Sequence, residues 1–164
     1  MRPKTNSMRL LESHKVAYRV HEFSPEIRSA AELAEALGVP ACQVFKTLVV
    51  LRERGRPLLV IIPGDRSLDL KALAKALGEK RLSMAAHKDA ESLTGLEVGG
   101  ISALALMHKG FQVCADKRIL EFSEVWVSAG TRGINLSLSS QDLVRVTRAA
   151  LVDAVELQGG DAAS

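Results

Sequence analysis

One apolar run, residues 44–51, constrains the fold more than any other stretch of the sequence. Six of its eight residues are apolar, and Lys46 and Thr47 are the exceptions. A strand with a nearly continuous apolar sequence is typical of the centre of a sheet, where both of its faces are covered. A charged turn around Gly55 separates it from a second apolar run at 58–62, which predicts a β-hairpin. We therefore expect a sheet whose central strand carries a lysine.

Further helices and strands are predicted on both sides of this hairpin. Apolar spacing and capping residues predict helices over 5–13, from Ser29 to residue 36, over 70–77, over 85–93, and from Ser139 or Ser140 to residue 146. Alternating or apolar runs predict strands at 16–23, 81–83, 111–114, 125–128, 134–138 and 151–157. Several strands are joined by short turns, which favours a mixed sheet. With no repeat or linker, we expect one α/β domain over residues 1–164, with a frayed tail at 158–164.

Composition and charge narrow the class of protein. The 22 basic and 19 acidic residues leave a net charge of +3, which permits a nucleic-acid partner without requiring one. The two cysteines and four histidines have no metal-binding spacing, so we expect no metal. The chain has no signal peptide and no apolar run near the ~20 residues of a membrane span. These absences predict a cytoplasmic protein with reduced thiols that does not bind a membrane.

Lys46 is the most unusual residue of the sequence. Lysine is seldom fully buried without a partner, yet this one interrupts an apolar strand. Its side chain either lies along apolar surface with the ammonium in water, or reaches into a pocket to hold an anion or a carbonyl oxygen. The sequence alone leaves these two interpretations equal.

Two glycine-rich stretches are further candidates for a binding site. In residues 95–102 the backbone amides near Gly99 and Gly100 could point at a ligand oxygen, although the spacing fits no dinucleotide or phosphate loop. Residues 128–133 form a similar turn after a predicted strand. Alone, the first stretch is only weak evidence of a site, and the second is better explained as an ordinary loop between two strands. The Ser128 hydroxyl and the nearby amides could nevertheless line the same pocket as the first stretch. We refer to residues 95–102 as the glycine segment and to residues 128–133 as the late turn.

Basic residues are frequent in two stretches, at 52–56 and at 71–88. Such charges usually form a solvated surface. If both stretches flank one pocket, they could instead contact a phosphate backbone. The cations concerned are Arg52, Arg54, Arg56, Lys71, Lys75, Lys80, Arg81 and Lys88.

Taken together and in this order, four segments resemble the YbaK/EbsC family. They are the strand around Lys46, the helix at 68–78, the glycine segment and the late turn. The resemblance covers roughly residues 10–151. It implies a mixed, partly barrel-like β-sheet surrounded by helices, which is the fold of the editing insertion domain of bacterial prolyl-tRNA synthetases.

The family also implies an activity: hydrolysis of the ester that links a wrong amino acid to tRNA(Pro), with Cys, Ala, Ser or Thr as the amino acid removed. By this resemblance, Lys46 contacts the aminoacyl end, and Gly99, Gly100 and Ile101 position the scissile carbonyl. The resemblance implies no cofactor, and a prolyl-tRNA synthetase is a second candidate partner. The remaining residues assigned to substrate binding are Phe23, Ser29, Thr94, Gly95, Ser128, Gly130 and Asn135.

The resemblance explains why no catalytic triad or GxSxG motif is found in the sequence. In the YbaK branch the substrate's own thiol attacks the ester, or the tRNA ribose hydroxyl assists a water molecule. The protein then positions the reacting groups and stabilises the oxyanion.

Three departures from the family pattern leave the amino acid open. Ala103, Leu104 and Ala105 stand where a proline and often a glycine are usual, and Asn135 stands where the YbaK branch has an aspartate. The helix entry at 28–31 is closer to branches that edit Ala. Two alternatives therefore stand beside the deacylase: a non-catalytic module that binds tRNA or nucleotide, and a hydrolase of small esters or thioesters.

Overall fold

The computed structural model describes residues 3–27 and 29–158, and the α-helices of this part are short. They are α1 (Asn6–Ser13), α2 (Ala30–Leu37), α3 (Leu70–Leu77), α4 (His87–Thr94) and α5 (Ser140–Thr147). The strands are β1 (Tyr18–Glu22), β2 (Phe45–Arg52), β3 (Leu58–Pro63), β4 (Leu82–Met84), β5 (Gln112–Asp116), β6 (Glu124–Ser128), β7 (Ile134–Ser139) and β8 (Ala150–Val152). Short 3-10 helices occupy Ala41–Gln43, Leu104–Lys109 and Lys117–Glu121.

The strands form two sheets. The five-stranded sheet has the order β4-β2-β3-β5-β8, with β2 antiparallel to β3 and β4, and with β5 parallel to β3 and β8. The three-stranded sheet has the order β1-β7-β6 and is antiparallel throughout. The predicted hairpin and the mixed sheet are thus confirmed, and the strand that carries Lys46 lies inside the larger sheet.

The two sheets meet at one point, a parallel bridge between Val44 and Trp126. The largest apolar cluster lies between the sheets and takes residues from both, such as Val49 and Ile61 from one and Val127 and Leu136 from the other. A second cluster lies between α3 and the opposite face of β2 and β3. The predicted α/β architecture is confirmed, but the barrel-like description fits only in part, because the described strands form two open sheets.

Helix ends follow the capping residues read from the sequence. Ser29 Oγ accepts the Glu32 amide at 3.1 Å, and Asp69 caps α3 by accepting the Ala72 amide. Gly38 and Gly78 end α2 and α3 in the left-handed conformation that glycine adopts without strain. Ser139 rather than Ser140 caps α5.

Two predictions about strands need correction, and one about the tail falls mostly outside the described residues. The first strand begins at Tyr18 instead of residue 16, because the chain turns there with Lys15 at a φ of 57°. The strand predicted over 151–157 is shorter, since β8 ends at Val152 and only Val155 forms a further bridge, to Leu68. Most of the tail predicted to fray, residues 159–164, lies outside the described residues. Over the described part, none of the helices has the length and apolar character to cross a membrane.

Candidate active site

The candidate site is built where β2 of one sheet runs beside β6 of the other. Because Val44 and Trp126 are paired in parallel, the residues two positions further along, Lys46 and Ser128, project to the same side. Asn135 is the β7 partner of Ser128 and shares that side. The structure therefore brings together three of the predicted residues from segments far apart in the sequence.

Lys46 is half-buried and lacks an acidic partner. Its Nζ donates to the Gly64 carbonyl at 3.3 Å, and no carboxylate of the described chain forms an ion pair with it. Burial lowers the pKa of Lys46 below its usual value, and the negative charge of Asp65 partly opposes that shift. The ammonium carries three N–H donors and uses one of them for Gly64, so the others can bind a ligand.

Gly64 fixes the position of the carbonyl that Lys46 contacts. A Cβ at Gly64 would lie 2.4 Å from the Ala30 Cβ and 2.8 Å from the Val44 carbonyl oxygen. Only glycine allows the end of β3 to approach the beginning of α2 this closely. Ser29, the predicted substrate-binding residue that caps α2, is thereby placed close to the Lys46 side of the sheet.

The neighbouring strands add a polar and aromatic surface. Asn135 is only 3 % exposed, and Ser128 Oγ accepts the Gly130 amide at 3.2 Å. His21 lies opposite Asn135 on β1, and its Nε2 is 2.9 Å from Ser137 Oγ. Burial lowers the pKa of His21, and the positive charge of the nearby Arg19 lowers it further. His21 is thus the hydrogen-bonded, half-buried histidine that the alternation of β1 predicts.

Trp126 was not predicted as a site residue. It is 7 % exposed, its ring centroid lies 5.9 Å from that of His21, and its indole N–H has no hydrogen-bond partner in the described structure. The alternation of β6 gave no reason to separate it from a core residue, although it is the one tryptophan of the chain.

The glycine segment packs directly against the late turn. A Cβ at Gly100 would come within 2.9 Å of the Arg132 amide nitrogen and 3.0 Å of the Thr131 carbonyl carbon. A Cβ at Gly130 would lie 3.0 Å from the Ala105 Cβ. The glycine segment and the late turn are therefore in direct contact.

Arg132, which the sequence analysis did not assign to the site, joins three loops. Its side chain passes 3.6 Å from the position of a Cβ on Gly99, and its guanidinium donates to the Pro25 carbonyl at 2.6 Å. The backbone bond from the Phe23 amide to the Gly133 carbonyl, 2.9 Å long, reinforces the same junction. Phe23 is thereby held next to the late turn.

The backbone amides of the glycine segment are not equivalent. The Gly100 amide donates to the Glu97 carbonyl at 2.8 Å, so in this conformation it is engaged within its own turn. No hydrogen bond occupies the amides of Gly99 and Ile101 within the described residues. Thr94 and Gly95 act locally here: Thr94 Oγ1 donates to the Ala90 carbonyl at 2.7 Å, and Gly95 ends α4 with a φ of 75°.

Lys46 and the glycine segment approach the site from different sides. The Ile101 side chain is buried in the apolar cluster between the sheets, together with Phe45 and Val49. Lys46 points to the opposite face of β2, where its neighbours are Leu48 and the α3 side of the sheet. No polar contact joins Lys46 to the glycine segment in the described chain, so any shared role requires a substrate that reaches both.

A metal centre finds no support in these residues. Across residues 3–27 and 29–158, no three His, Cys, Asp or Glu side chains are grouped so that they could hold a metal ion. Cys42 and Cys114 are both free, and burial raises the pKa of the Cys114 thiol.

Comparison with known proteins connects this geometry to a family. The family model described as the aminoacyl-tRNA editing domain matches residues 24–146. A protein of Enterococcus faecalis named as a candidate Cys-tRNA(Pro)/Cys-tRNA(Cys) deacylase, EbsC, is 40% identical over 146 residues, which is 88% of each chain. A proline–tRNA ligase of Acidithiobacillus ferrooxidans is 32% identical over 142 residues, which is 85% of this chain but only 24% of the ligase.

A solved structure agrees with these sequence matches. The crystal structure of a candidate trans-editing enzyme for prolyl tRNA synthetase superposes with a TM-score of 0.79 at 26% identity, covering 95% of this chain and 100% of the other. The match includes the strand of Lys46, the glycine segment and the late turn, because all three lie within residues 24–146. The chain therefore belongs to the aminoacyl-tRNA editing domain family, as its resemblance to YbaK/EbsC proteins implied.

Proposed function

We propose that this protein is an aminoacyl-tRNA deacylase acting in trans that hydrolyses tRNA(Pro) mischarged with Cys or another small amino acid. Ester hydrolysis on aminoacyl-tRNA is the activity that membership of the family supports. The observation that carries the proposal is Lys46, a half-buried cation without an acidic partner, on the strand that runs beside Ser128. A pocket with an uncompensated cation favours an anionic or carbonyl-bearing ligand.

In the proposed mechanism the protein positions the ester and does not attack it. The ammonium of Lys46 donates to the aminoacyl end of the tRNA, and the free amides of Gly99 and Ile101 stabilise the carbonyl oxygen as it becomes negative. The substrate's thiol, or a water assisted by the ribose hydroxyl, attacks the carbonyl carbon. The ester bond to the ribose then breaks, and the ribose oxygen takes up the proton that the attacking thiol or water gives up.

On this surface of the described chain there is one serine–histidine pair, formed by Ser137 and His21. Its serine is poorly placed to attack so large a substrate. Ser137 is 2.9 Å from His21 but only 1 % exposed, and it lies beneath its neighbours on the sheet. This burial supports a mechanism in which the substrate supplies or assists the nucleophile. It also argues against a serine nucleophile at this surface.

The decisive experiment is deacylation of tRNA(Pro) charged with Cys, Ala, Ser or Thr by wild-type protein and by Lys46→Ala. We expect wild type to release at least one amino acid well above the uncatalysed rate and Lys46→Ala to lose about 100-fold or more, as for the loss of one oxyanion donor. Circular dichroism and Lys15→Ala serve as controls for folding and for charge. Full activity of Lys46→Ala would refute the role of Lys46.

The same panel distinguishes the alternatives. Tight binding of tRNA without release of any amino acid would favour the non-catalytic module. Hydrolysis of free aminoacyl esters that added tRNA does not inhibit would favour the small-ester hydrolase.

We also propose that the protein acts beside a prolyl-tRNA synthetase in the cytoplasm, where tRNA is charged. In the related ligase, the similar segment is one part of a much longer chain that carries the synthetase. A deacylase that binds the synthetase meets the mischarged tRNA sooner after the synthetase releases it.

A further inference from the structure

A group of cations without acidic partners lies on α3 and in the turn that follows it, on the side of the five-stranded sheet that carries Lys46. We call it the basic α3 surface, and its members are Lys71, Lys75, Lys80 and Arg81, all exposed. In residues 70–82 the only acidic residue is Glu79, and Arg52 neutralises it through an ion pair of 3.3 Å. None of the four cations is ion-paired with an acidic residue of the described chain.

Several exposed cations elsewhere on the protein are paired. Lys4 contacts Glu12 at 2.6 Å, and Arg19 contacts Glu124 at 2.9 Å. Lys117 and Arg145 are likewise held by acidic neighbours. Unpaired cations such as Lys15 also lie elsewhere on the described chain, but around α3 several of them are grouped on one helix and the turn that follows it.

The basic α3 surface begins at the same end of the five-stranded sheet as the candidate site. Leu73 of α3 packs in one cluster with Ile62, and Ile62 is the β3 partner of Lys46. The Asp69 amide, just before α3, donates to the Ala154 carbonyl beyond β8, so α3 starts at the β8 edge of that end. The first turn of α3 therefore lies at the end of the sheet that carries Lys46.

The surface then extends away from the site along the helix. An eight-residue helix is about 12 Å long, and α3 ends at the opposite end of β2, where Leu82 pairs with Arg52. Lys80 and Arg81 lie between these two points in the chain. The cations therefore extend along α3 from the Lys46 end of the sheet to its opposite end.

We propose that the basic α3 surface binds the sugar–phosphate backbone of the tRNA acceptor stem while the aminoacyl end occupies the site beside Lys46. This inference rests on the proposed function and adds to it the surface that holds the nucleic acid. Exposed lysines on a short helix suit phosphates, because each ammonium is a point charge that needs no fixed geometry. Such contacts strengthen binding without reading the base sequence.

The test compares two double variants that remove the same charge. Lys71→Gln/Lys75→Gln changes the basic α3 surface. Arg9→Gln/Lys15→Gln is the matched control, because both residues are exposed, lack an acidic partner in the described chain, and lie on or next to α1 on the opposite side of the sheet. Binding of uncharged tRNA(Pro) is measured by fluorescence anisotropy between 50 and 200 mM KCl, and deacylation is measured on mischarged tRNA(Pro) and on a 3′-aminoacyl-CCA trinucleotide.

We expect Lys71→Gln/Lys75→Gln to weaken tRNA binding about tenfold or more at 100 mM salt and to reduce the slope of log Kd against log salt by about 1.4–1.8. KM for mischarged tRNA rises, while kcat on tRNA and hydrolysis of the trinucleotide stay at wild-type values. The control variant keeps the wild-type slope.

Three outcomes would overturn the inference: equal effects of both double variants on tRNA binding, an equal loss on tRNA and trinucleotide, or loss of binding to prolyl-tRNA synthetase with tRNA binding intact. If wild-type protein releases no amino acid from either substrate, the proposed function fails. The anisotropy titration then still decides whether this surface binds tRNA.

Discussion

At the scale of single residues, Lys46 carries a charge that its position in the fold does not favour. Its position on the central strand removes part of its ammonium from water, and the Gly64 carbonyl is the only hydrogen-bond partner that the described chain offers. A residue that serves the fold alone would not need a charge there. Functional sites commonly retain groups that destabilise the fold, so replacing such a group often raises stability.

We therefore expect Lys46→Met to be inactive and at least as stable as wild type at pH 7. Burial lowers the pKa of folded Lys46 below the unfolded value of 10.5, so the folded chain binds this proton less tightly than the unfolded chain does. The resulting penalty is fully present below the folded pKa and disappears as the pH rises to the unfolded value. The gain should be up to about 1 kcal/mol, or about 2–4 °C in Tm, as for other replacements of this kind.

Thermal unfolding of both proteins at pH 7, 9 and 10.5 checks this expectation. The advantage of Lys46→Met should narrow as the pH rises. An advantage that grows with pH would show that the folded pKa of Lys46 is raised instead.

At the scale of helices and strands, most of the architecture could be predicted, because local signals determine it. The apolar runs gave the β2–β3 hairpin, and Ser29 and Asp69 marked where α2 and α3 begin. The bridge between Val44 and Trp126 could not be predicted, since one pair of residues far apart in sequence leaves no local pattern. That bridge is what places Lys46 beside Ser128.

Fewer of the candidate site residues than of the helices and strands could be predicted from the sequence. Lys46 was conspicuous because a charge interrupts an apolar strand. Trp126 fitted the ordinary alternation of a strand, and Arg132 could have been any solvated loop residue. The Gly100 amide was assigned to the oxyanion by resemblance, but its bond to the Glu97 carbonyl depends on a turn that only the structure reveals.

The junction between the glycine segment and the late turn leads to a prediction for Gly100→Ala. The φ of Gly100 lies outside the left-handed region, so the cost comes from the clash of the new Cβ with the backbone of Thr131 and Arg132. We expect a loss of about 1–3 kcal/mol in urea unfolding, together with a raised KM and faster hydrogen exchange of the Phe23 amide.

Gly78→Ala is the matched control for this substitution. Gly78 has a φ of 69° and nothing within 4 Å of an added Cβ, so its cost of about 1 kcal/mol comes from backbone strain alone. KM should stay at the wild-type value in this variant. If Gly100→Ala and Gly78→Ala had the same KM, the contact between the glycine segment and the late turn would have no role in substrate binding.

At the scale of the whole molecule, the site depends on the way two open sheets are joined. Lys46 belongs to the five-stranded sheet, whereas Ser128 and Asn135 belong to the three-stranded sheet. Only one bridge links their backbones within the described residues, but the largest apolar cluster draws on both sheets. The relative position of the candidate site residues is therefore maintained mainly by apolar packing.

This arrangement predicts that the sheets unfold together. Opening either sheet would expose the cluster shared by Val49, Ile61, Val127 and Leu136, so neither sheet should persist alone. We expect one calorimetric transition, with equal calorimetric and van't Hoff enthalpies of roughly 100 kcal/mol for a chain of this length near 60 °C. Trp126 lies in the smaller sheet, and its fluorescence should change in one transition. That transition should coincide with the one seen by far-ultraviolet circular dichroism. Two separate transitions would contradict the prediction that residues 1–164 form one domain, and would mean that the site can come apart while each sheet stays folded.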